Sequence, residues 1–296
     1  MSKKKAKTSE EIKIAVFVNG LPGAVSQEIA KACVRRGLKV APIALTGPNM
    51  PESIDIEGCG AIKLIDAGKT EEAKEALKNE KDSLEKEGYI VIAIDFTHPD
   101  AVNPNADLYN SIDLPFVMGT TGGDREKLER STQESKNHAV IAPNMCKQIV
   151  AFQAMFEYME KNFPGAFSGY DLSVTESHQK TKADTSGTAK AVVKSLSSLI
   201  GTSFPEENIK RLRSDEESKA FGVPDQYLTG HAHHTYHLES GDKTVVFEFK
   251  HNVNGRSTYG EGAVDAVLYL GNRVANPRNK PKIYSMIDVL KSGTMV

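Results

Sequence analysis

The fold is decided by residues 12–26, which read Ile12-Lys13-Ile14-Ala15-Val16-Phe17-Val18-Asn19-Gly20-Leu21-Pro22-Gly23-Ala24-Val25-Ser26. The β-branched, apolar run at the start predicts a buried strand that ends in a glycine-containing turn. A helical pattern of Val25, Ile29 and Cys33 follows, and a second strand is predicted over residues 38–45. Strand, turn, helix and strand in this order are typical of the first unit of a dinucleotide-binding domain.

The glycine turn is a candidate pyrophosphate site. Gly20 and Gly23 would let the backbone approach the phosphates, and the N-terminus of the next helix would face their charge. The match to a three-glycine fingerprint is partial because Ser26 stands at a later position, so an ordinary turn is the alternative. The second strand ends at Thr46 without the Asp or Glu that NAD-specific sites often place there. This favours NADPH, with NADH also possible.

Three further strands continue the alternation with helices, at residues 89–96, 114–118 and 139–142. Ligands of an open α/β sheet lie beyond the carboxyl ends of its strands. The loops that follow these strands are therefore expected at the nicotinamide end of a cofactor; they are Phe96-Thr97-His98, Gly119-Thr120-Thr121 and Ala142-Pro143-Asn144-Met145.

The alternation then stops, which indicates a second domain. A long helix is predicted over residues 146–163, and two strands around Ser240-Gly241-Asp242 form a hairpin. We therefore predict an α/β protein with a Rossmann-like dinucleotide-binding domain, residues 1–145 plus 259–296. The second domain, residues 146–258, is predicted to be an α+β substrate and oligomerisation domain with a mixed, largely antiparallel sheet.

A second candidate site lies in residues 176–189, Glu-Ser-His-Gln-Lys-Thr-Lys-Ala-Asp-Thr-Ser-Gly-Thr-Ala. His178 and Lys182 can both carry a proton. The segment Ser186-Gly187-Thr188 opens a helix, whose free N–H groups bind carboxylates or phosphates. The stretch predicts a pocket for a small, doubly anionic molecule that must be protonated; a strand, a loop and an ordinary N-cap form the alternative. Arg256 is a further cation for this pocket, or a surface arginine.

Metal and nucleic-acid binding are not favoured. His231, His233 and His237 would share one face of a strand, but no carboxylate or cysteine completes a metal site, so polar strand residues or an interface are the preferred interpretation. The formal net charge of −2 gives no case for nucleic acid or an anionic membrane. The three cysteines form no C-x-x-C pair.

The targeting signals of the chain are weak. Residues 1–10 are polar and Lys-rich, which predicts a disordered lead-in without a secretory signal. No apolar run reaches the roughly 18 residues that a membrane span needs. We expect a cytoplasmic protein, or one of the plastid stroma if a transit peptide has been removed.

With these motifs in place, the chain resembles the 4-hydroxy-tetrahydrodipicolinate reductase (dihydrodipicolinate reductase) family, in particular its plant-type branch. The family segment Glu-x-His-His, then Lys, Asp and Ser-Gly-Thr-Ala, is matched from Glu176 to Ala189, except that Gln179 replaces the second His and Thr185 replaces a Pro. Residues 119–122, Gly-Thr-Thr-Gly, and 142–144, Ala-Pro-Asn, agree as well. The resemblance covers Ile12 to Leu290.

The resemblance implies NAD(P)H-dependent reduction of dihydrodipicolinate to tetrahydrodipicolinate in lysine and diaminopimelate biosynthesis, by a homodimer or homotetramer. It implies that His178 and Lys182 are catalytic. The implied substrate-binding residues are Gln179, Ser186, Gly187, Thr188 and Arg256. The implied cofactor-binding residues are Gly20, Leu21, Pro22, Gly23, Ala24, Val25, Thr46, Phe96, Thr97, Gly119, Thr120, Thr121, Ala142, Pro143, Asn144 and Met145.

In the implied mechanism hydride reaches the ring of a dicarboxylate, and the far end of its conjugated system takes a proton. Lys182 is the preferred direct donor, and His178 orients it or shares the proton. Two alternatives stay open: another two-domain NAD(P) oxidoreductase, of the homoserine or aspartate dehydrogenase type, and a non-catalytic NAD(P)-binding regulatory protein.

Overall fold

The computed structural model describes residues 12–293. The chain divides into two compact units, of which the first comprises the residues up to Met145 and those from Tyr259 onward. The second unit is Cys146–Thr258. The lead-in predicted for residues 1–10 lies outside the described residues.

The elements of secondary structure follow one another along the whole described chain. The strands are β1 Ile14–Asn19, β2 Lys39–Val40, β3 Ile43–Thr46, β4 Ser53–Ile56, β5 Gly60–Asp66, β6 Ile90–Asp95, β7 Phe116–Met118, β8 Ala139–Ile141, β9 Tyr170–His178, β10 Lys210–Leu212, β11 His231–Ser240, β12 Val246–Asn254 and β13 Ile283–Tyr284. The α-helices are α1 Ala24–Arg35, α2 Thr70–Lys86, α3 Val102–Ser111, α4 Arg125–Glu134, α5 Lys147–Asn162, α6 Gly187–Ile200, α7 Asp215–Ala220, α8 Ser257–Ala275 and α9 Met286–Lys291.

The first unit is built on a six-stranded parallel sheet in the order β13-β8-β7-β6-β1-β2. Strands β1 and β6 pair along their full length, from Ile14 opposite Ile90 to Asn19 opposite Asp95. Because all strands are parallel, their carboxyl ends share one edge of the sheet, where a ligand of such a fold binds. The predicted α/β class with a Rossmann-like sheet is confirmed.

The predicted second strand is in fact two strands that belong to different sheets. Ala41 still donates from its N–H to the Val16 carbonyl at 2.8 Å, whereas the Pro42 carbonyl accepts from Lys63 at 2.8 Å. Pro42 has no N–H and cannot continue the pairing with β1. The chain therefore passes at this proline into a small sheet in the order β3-β5-β4.

The sequence also predicts a strand over residues 58–66, a polar, irregular segment over residues 204–221 and a short helix from about residue 282 to 290. The structure modifies each of these three predictions. The strand predicted over residues 58–66 is the second half of a hairpin, because β4 pairs with β5 in antiparallel fashion. The C-terminal helix begins only at Met286, where the Ser285 hydroxyl accepts from the Asp288 N–H, and residues 283–284 join the large sheet. The polar segment 204–221 contains β10 and α7, and α7 starts with a capping box of Ser214 and Glu217.

The second unit contains a four-stranded sheet in the order β10-β9-β11-β12. Helices α5 and α6 share a hydrophobic core with this sheet. Its β9–β11–β12 part is antiparallel, and only β10 runs parallel to β9, so the predicted mixed, largely antiparallel sheet is confirmed. The core contains Phe156, Leu196 and Tyr236, all fully buried. No helix among residues 12–293 is long and apolar enough to cross a membrane.

Candidate active site

A cleft of about 1010 Å³ opens at the carboxyl ends of the strands of the first unit. It is lined by seven of the residues predicted for the cofactor: Gly20, Leu21, Pro22, Gly23, Thr46, Phe96 and Thr97. These residues follow β1 and β6 or end β3, which are adjacent elements of this unit. The βαβ pattern thus predicts residues that the structure places around this cleft.

Two glycines shape the floor of this cleft. Gly20 has a φ of +101°, and a Cβ there would collide with the Phe96 carbonyl. A Cβ on Gly23 would lie 2.7 Å from the Gly20 carbonyl oxygen. Each position therefore excludes a side chain, and the backbone stays bare toward the cleft at the start of α1. Such a cradle fits the pyrophosphate of a dinucleotide.

The Asp95 carboxylate organises the strand ends next to the cleft. It is fully buried and accepts hydrogen bonds from the hydroxyls of Tyr109 at 2.7 Å, Thr97 at 2.7 Å and Thr120 at 2.6 Å. Asn105 donates to it at 2.9 Å. The Thr120 hydroxyl thus donates to Asp95 and not to a ligand. An acid that closes an otherwise apolar strand was the sequence signal for this network, which motif reasoning missed.

The other predicted cofactor residues do not line this cleft. Ala24 and Val25 begin α1, and Gly119 lies under the Phe96 ring, where a Cβ would clash with it. Thr121 is exposed after β7. The remaining four follow β8, at the same sheet edge; they are Ala142, Pro143, Asn144 and Met145.

Asp66 and Lys69 line the cleft, although the sequence did not single them out. Asp66 ends β5, and its Oδ1 accepts from the Gly68 N–H at 2.8 Å. Lys69 is exposed, with its ammonium 3.7 Å from Glu72, and is the only Lys or Arg among the described lining residues. The split of the second strand at Pro42 brings β5 beside β3, which explains why these residues reach the cleft.

In the second unit, the buried carboxylate of Glu176 anchors the 176–189 segment. Glu176 is fully buried on β9 and pairs with the guanidinium of Arg213. The backbone N–H of Ser186 donates to Glu176 Oε2 at 3.1 Å. The Ser186 N–H therefore donates to a carboxylate of the protein and not to a ligand. The sequence predicts only a polar, irregular segment around Arg213 and assigns this residue no role.

The loop that carries Lys182 is held from the same side. Arg213 donates through Nε to the Lys182 carbonyl at 2.8 Å and through a terminal nitrogen to the Asp184 carbonyl at 3.1 Å. The Lys182 ammonium lies 2.8 Å from Asp184 Oδ1, and this contact is the main reason that the pKa of Asp184 is lowered. Lys182 is thus partly buried on a loop with a fixed backbone.

Three imidazoles continue the site into the sheet. His178 Nε2 lies 3.0 Å from His234 Nε2, and His234 Nδ1 lies 3.0 Å from His251 Nε2. His234 and His251 come from neighbouring strands, β11 and β12. The sequence drew attention to His231, His233 and His237, which alternate onto the other face of β11; the period of two would also have separated His234 from them.

Burial keeps these imidazoles neutral. It lowers the pKa of His178 to about 3, with help from the charges of Arg213 and Lys182. Burial likewise lowers the pKa of His251 to about 4 and that of His234 well below its usual value. The lowered pKa of His178 leaves this imidazole neutral near pH 7, which disfavours it as the group that gives up a proton.

The structure also tests where a metal would fit. His231 contacts the Ser177 hydroxyl at 2.8 Å, and His233 contacts Asn254 at 2.9 Å, so each has a protein partner. The ligand atoms of Glu176, His178 and His234 lie within 4.8 Å of one another. Arg213 already neutralises Glu176, which opposes a cation there. We therefore assign no metal site.

The remaining predicted substrate residues lie in three places along the second unit. Gly187 and Thr188 are its first two residues, so their N–H groups have no carbonyl in their own helix. Gln179 follows His178 and is half-buried. Arg256 lies between β12 and α8 and donates to the Thr229 carbonyl at 3.3 Å.

Comparison with known proteins places both units in one family. The family profile described as dihydrodipicolinate reductase, N-terminus, matches residues 14–145, and the one described as dihydrodipicolinate reductase, C-terminus, matches residues 148–290. A probable 4-hydroxy-tetrahydrodipicolinate reductase 1, chloroplastic, of Oryza sativa subsp. japonica is 46% identical over 281 residues, which cover 95% of this chain and 79% of that protein.

Other relatives agree. The 4-hydroxy-tetrahydrodipicolinate reductase 2, chloroplastic, of Arabidopsis thaliana is 45% identical, with 95% of this chain and 78% of that protein covered. A solved structure, dipicolinate-bound dihydrodipicolinate reductase from Paenisporosarcina sp. TG-14, has a TM-score of 0.60 at 18% identity and covers 93% of this chain and 98% of that chain, which shows the common fold. Both halves and nearly the full length agree, so this chain belongs to the dihydrodipicolinate reductase family.

Proposed function

We propose that this protein is an NAD(P)H-dependent 4-hydroxy-tetrahydrodipicolinate reductase that acts in lysine and diaminopimelate biosynthesis. The observation that carries the proposal is Lys182 on its fixed loop between His178 and the start of α6. An ammonium on the loop that leads into the N-terminus of a helix fits a substrate that carries carboxylates and must accept a proton. The curated plant relatives carry this activity in their names, and their designation as chloroplastic supports the plastid stroma.

The roles of the second unit follow from its contacts. Gly187 and Thr188 would hold one carboxylate of the substrate through backbone N–H groups and the Thr188 hydroxyl. Lys182 would donate the proton, and its contact with Asp184 keeps the ammonium near the loop until substrate arrives. Gln179, next to His178, would hydrogen-bond the substrate without adding charge. Arg256 is the candidate partner for a second carboxylate.

The first unit would hold the nucleotide. Its pyrophosphate fits the bare backbone at Gly20 and Gly23, and Phe96 and Thr97 follow the neighbouring strand. When bound, the reduced nicotinamide nucleotide supplies the hydride. Residues 119–121 and 142–145, at the carboxyl ends of β7 and β8, would line the nicotinamide side of this edge.

We propose NADPH as the preferred cofactor, with NADH as the second. A 2′-phosphate needs a cation, and Lys69 is the one Lys or Arg that lines the described part of the cleft. Asp66, in the same cleft, has a carboxylate that suits the free 2′-hydroxyl of NADH. The two side chains together favour the use of both nucleotides.

We also propose a homo-oligomer, dimer or tetramer, that assembles through the outer strand of the second unit. β12 is at the edge of its sheet, and Val245, Val246 and Phe247 expose 42%, 49% and 41% of their surfaces. An exposed edge with apolar side chains favours association. Sedimentation of the protein and of Phe247→Glu tests this: the variant should shift toward monomer.

The activity is tested by NADPH and NADH oxidation with freshly generated 4-hydroxy-tetrahydrodipicolinate. Substrate-dependent oxidation that a Lys182→Ala variant has lost is the expected result. Binding of NADPH without any substrate-dependent oxidation would instead support a non-catalytic NAD(P)-binding protein. Oxidation only with a different carbonyl or imine substrate would point to another oxidoreductase.

A further inference from the structure

The chain of three imidazoles has one feature that the proposed mechanism does not use. His178 contacts His234, and His234 contacts His251, in both cases at 3.0 Å between ring nitrogens. Each contact needs one nitrogen with a proton and one without. Since all three rings are neutral, the tautomer of any one of them determines the other two. Only two proton arrangements are therefore consistent with the chain.

The surroundings of His178 favour the first arrangement. Its Nε2 faces His234, and the backbone carbonyl of His231 lies against the same ring and raises its pKa, as an acceptor does. A carbonyl can only accept, so the His178 Nδ1 should carry the proton. His178 Nε2 is then a bare acceptor that receives the N–H of His234.

The far end of the chain supports the same direction. His234 Nε2 lies 3.8 Å from Glu176 Oε2, and a carboxylate nearby favours a protonated nitrogen. With that proton on Nε2, His234 Nδ1 accepts from His251 Nε2. The His251 Nδ1 is buried without a protein partner, and in this arrangement it is a bare nitrogen. The opposite arrangement would bury an unpaired N–H there, which is the rarer and costlier situation.

We propose that His234 and His251 are positioning residues that fix His178 as the neutral tautomer with its proton on Nδ1. The proposal rests on the function proposed above, because it assigns His178 a fixed, neutral role beside Lys182. Both nitrogens of His178 are then engaged by the protein. The imidazole keeps its orientation while Lys182 delivers the proton.

The direct test is two-bond ¹H–¹⁵N correlation NMR of the histidine rings in the intact protein at pH 7, assigned by single histidine substitutions. The expected spectrum shows His178 with Nδ1 protonated and Nε2 unprotonated. A proton on His178 Nε2, or rapid exchange between both forms, would overturn the proposal. This measurement requires no turnover. It therefore tests the tautomer of His178 even if the protein does not catalyse the proposed reaction.

Two substitutions at His251 separate positioning from packing. His251→Phe keeps a ring against Phe152, whose centroid is 5.2 Å away, but has no N–H for His234. His251→Gln keeps an N–H donor. We expect His251→Phe to release the His178 tautomer and to lower kcat/KM roughly 10-fold through kcat, and His251→Gln to retain the wild-type tautomer and most of the activity.

The matched control is His237→Phe, on the half-exposed face of β11. It should leave both the His178 spectrum and kcat unchanged. An unaltered His178 tautomer in folded His251→Phe would disprove the positioning role, and equal losses in the Phe and Gln variants would reduce it to packing. Thermal unfolding and NMR dispersion establish that each variant is folded.

Discussion

The guanidinium of Arg213 forms an ion pair with the Glu176 carboxylate, which is fully buried at the end of β9. Arg213 also donates to the carbonyls of Lys182 and Asp184, so a single side chain joins the buried acid to the loop that carries Lys182. The stability of the second unit and the order of its site thus depend on the same residue.

Arg213→Ala should therefore destabilise the protein strongly. It leaves a buried carboxylate without a counter-charge, which costs about 3–5 kcal/mol of unfolding free energy. Urea denaturation followed by circular dichroism measures this loss. Arg211→Ala is the matched control, because Arg211 is exposed and makes one long contact, 3.4 Å to the Ala183 carbonyl. Comparable losses in both variants would show that the Glu176 pair contributes little.

Lys182→Ala should abolish most of the catalysis and leave nucleotide binding intact. Removal of a positioned acid lowers kcat by about 10²–10⁴-fold. Single-turnover kinetics and the Kd of NADPH from fluorescence titration check the two parts separately. Lys180→Ala, an exposed neighbour on the same loop, should remain active. A normal kcat in Lys182→Ala would exclude Lys182 as the proton donor.

Cofactor choice should respond in opposite ways to two substitutions in the cleft. Lys69→Ala should raise the KM for NADPH roughly tenfold, because an ionic contact to a 2′-phosphate is lost, and leave NADH unaffected. Asp66→Asn should impair NADH more than NADPH. Lys63→Ala, exposed on the same strand and outside the cleft lining, serves as the control. A parallel change for both nucleotides in Lys69→Ala would refute the assignment.

Gly20→Ala should block the nucleotide site. The new Cβ would collide with the Phe96 carbonyl, and the φ of +101° disfavours any side chain. We expect loss of measurable NADPH binding by calorimetry and a lower melting temperature. Gly37→Ala separates strain from collision, since Gly37 has a φ of +73° with open space around it, and should cost only about 1 kcal/mol. NADPH binding that survives Gly20→Ala would refute the cradle.

The large sheet and the edge that carries the cleft could be predicted because apolar runs and glycine turns are local signals. The change of sheet at Pro42 could not be predicted. It depends on the pairing of residues 43–46 with β5, which lies some distance along the chain. That pairing in turn brings Asp66 and Lys69 into the cleft. Their place there was therefore out of reach for motif reasoning.

The candidate site was predictable where one segment carries it. His178, Lys182 and the start of α6 belong to a continuous stretch and were found from it. Arg213, His234 and His251 reach the site through strand pairing, because β10 and β11 flank β9 and β12 flanks β11. Their chemistry was visible in the sequence, but register, and not spacing along the chain, determines which of them meet.

The buried imidazoles make the protein sensitive to acid. The pKa values of His178, about 3, and His251, about 4, are depressed by burial below the value of about 6.5 in an unfolded chain. The neutral rings therefore contribute stability that is complete above pH 6.5 and is lost as the pH falls toward these values. Each ring steepens the loss by up to about 1.4 kcal/mol per pH unit. Urea unfolding between pH 7 and pH 5 should show this slope, and His251→Gln should reduce it by the contribution of one ring. A wild-type unfolding free energy that stays constant over this range would mean that these imidazoles are already protonated or solvated in the folded protein.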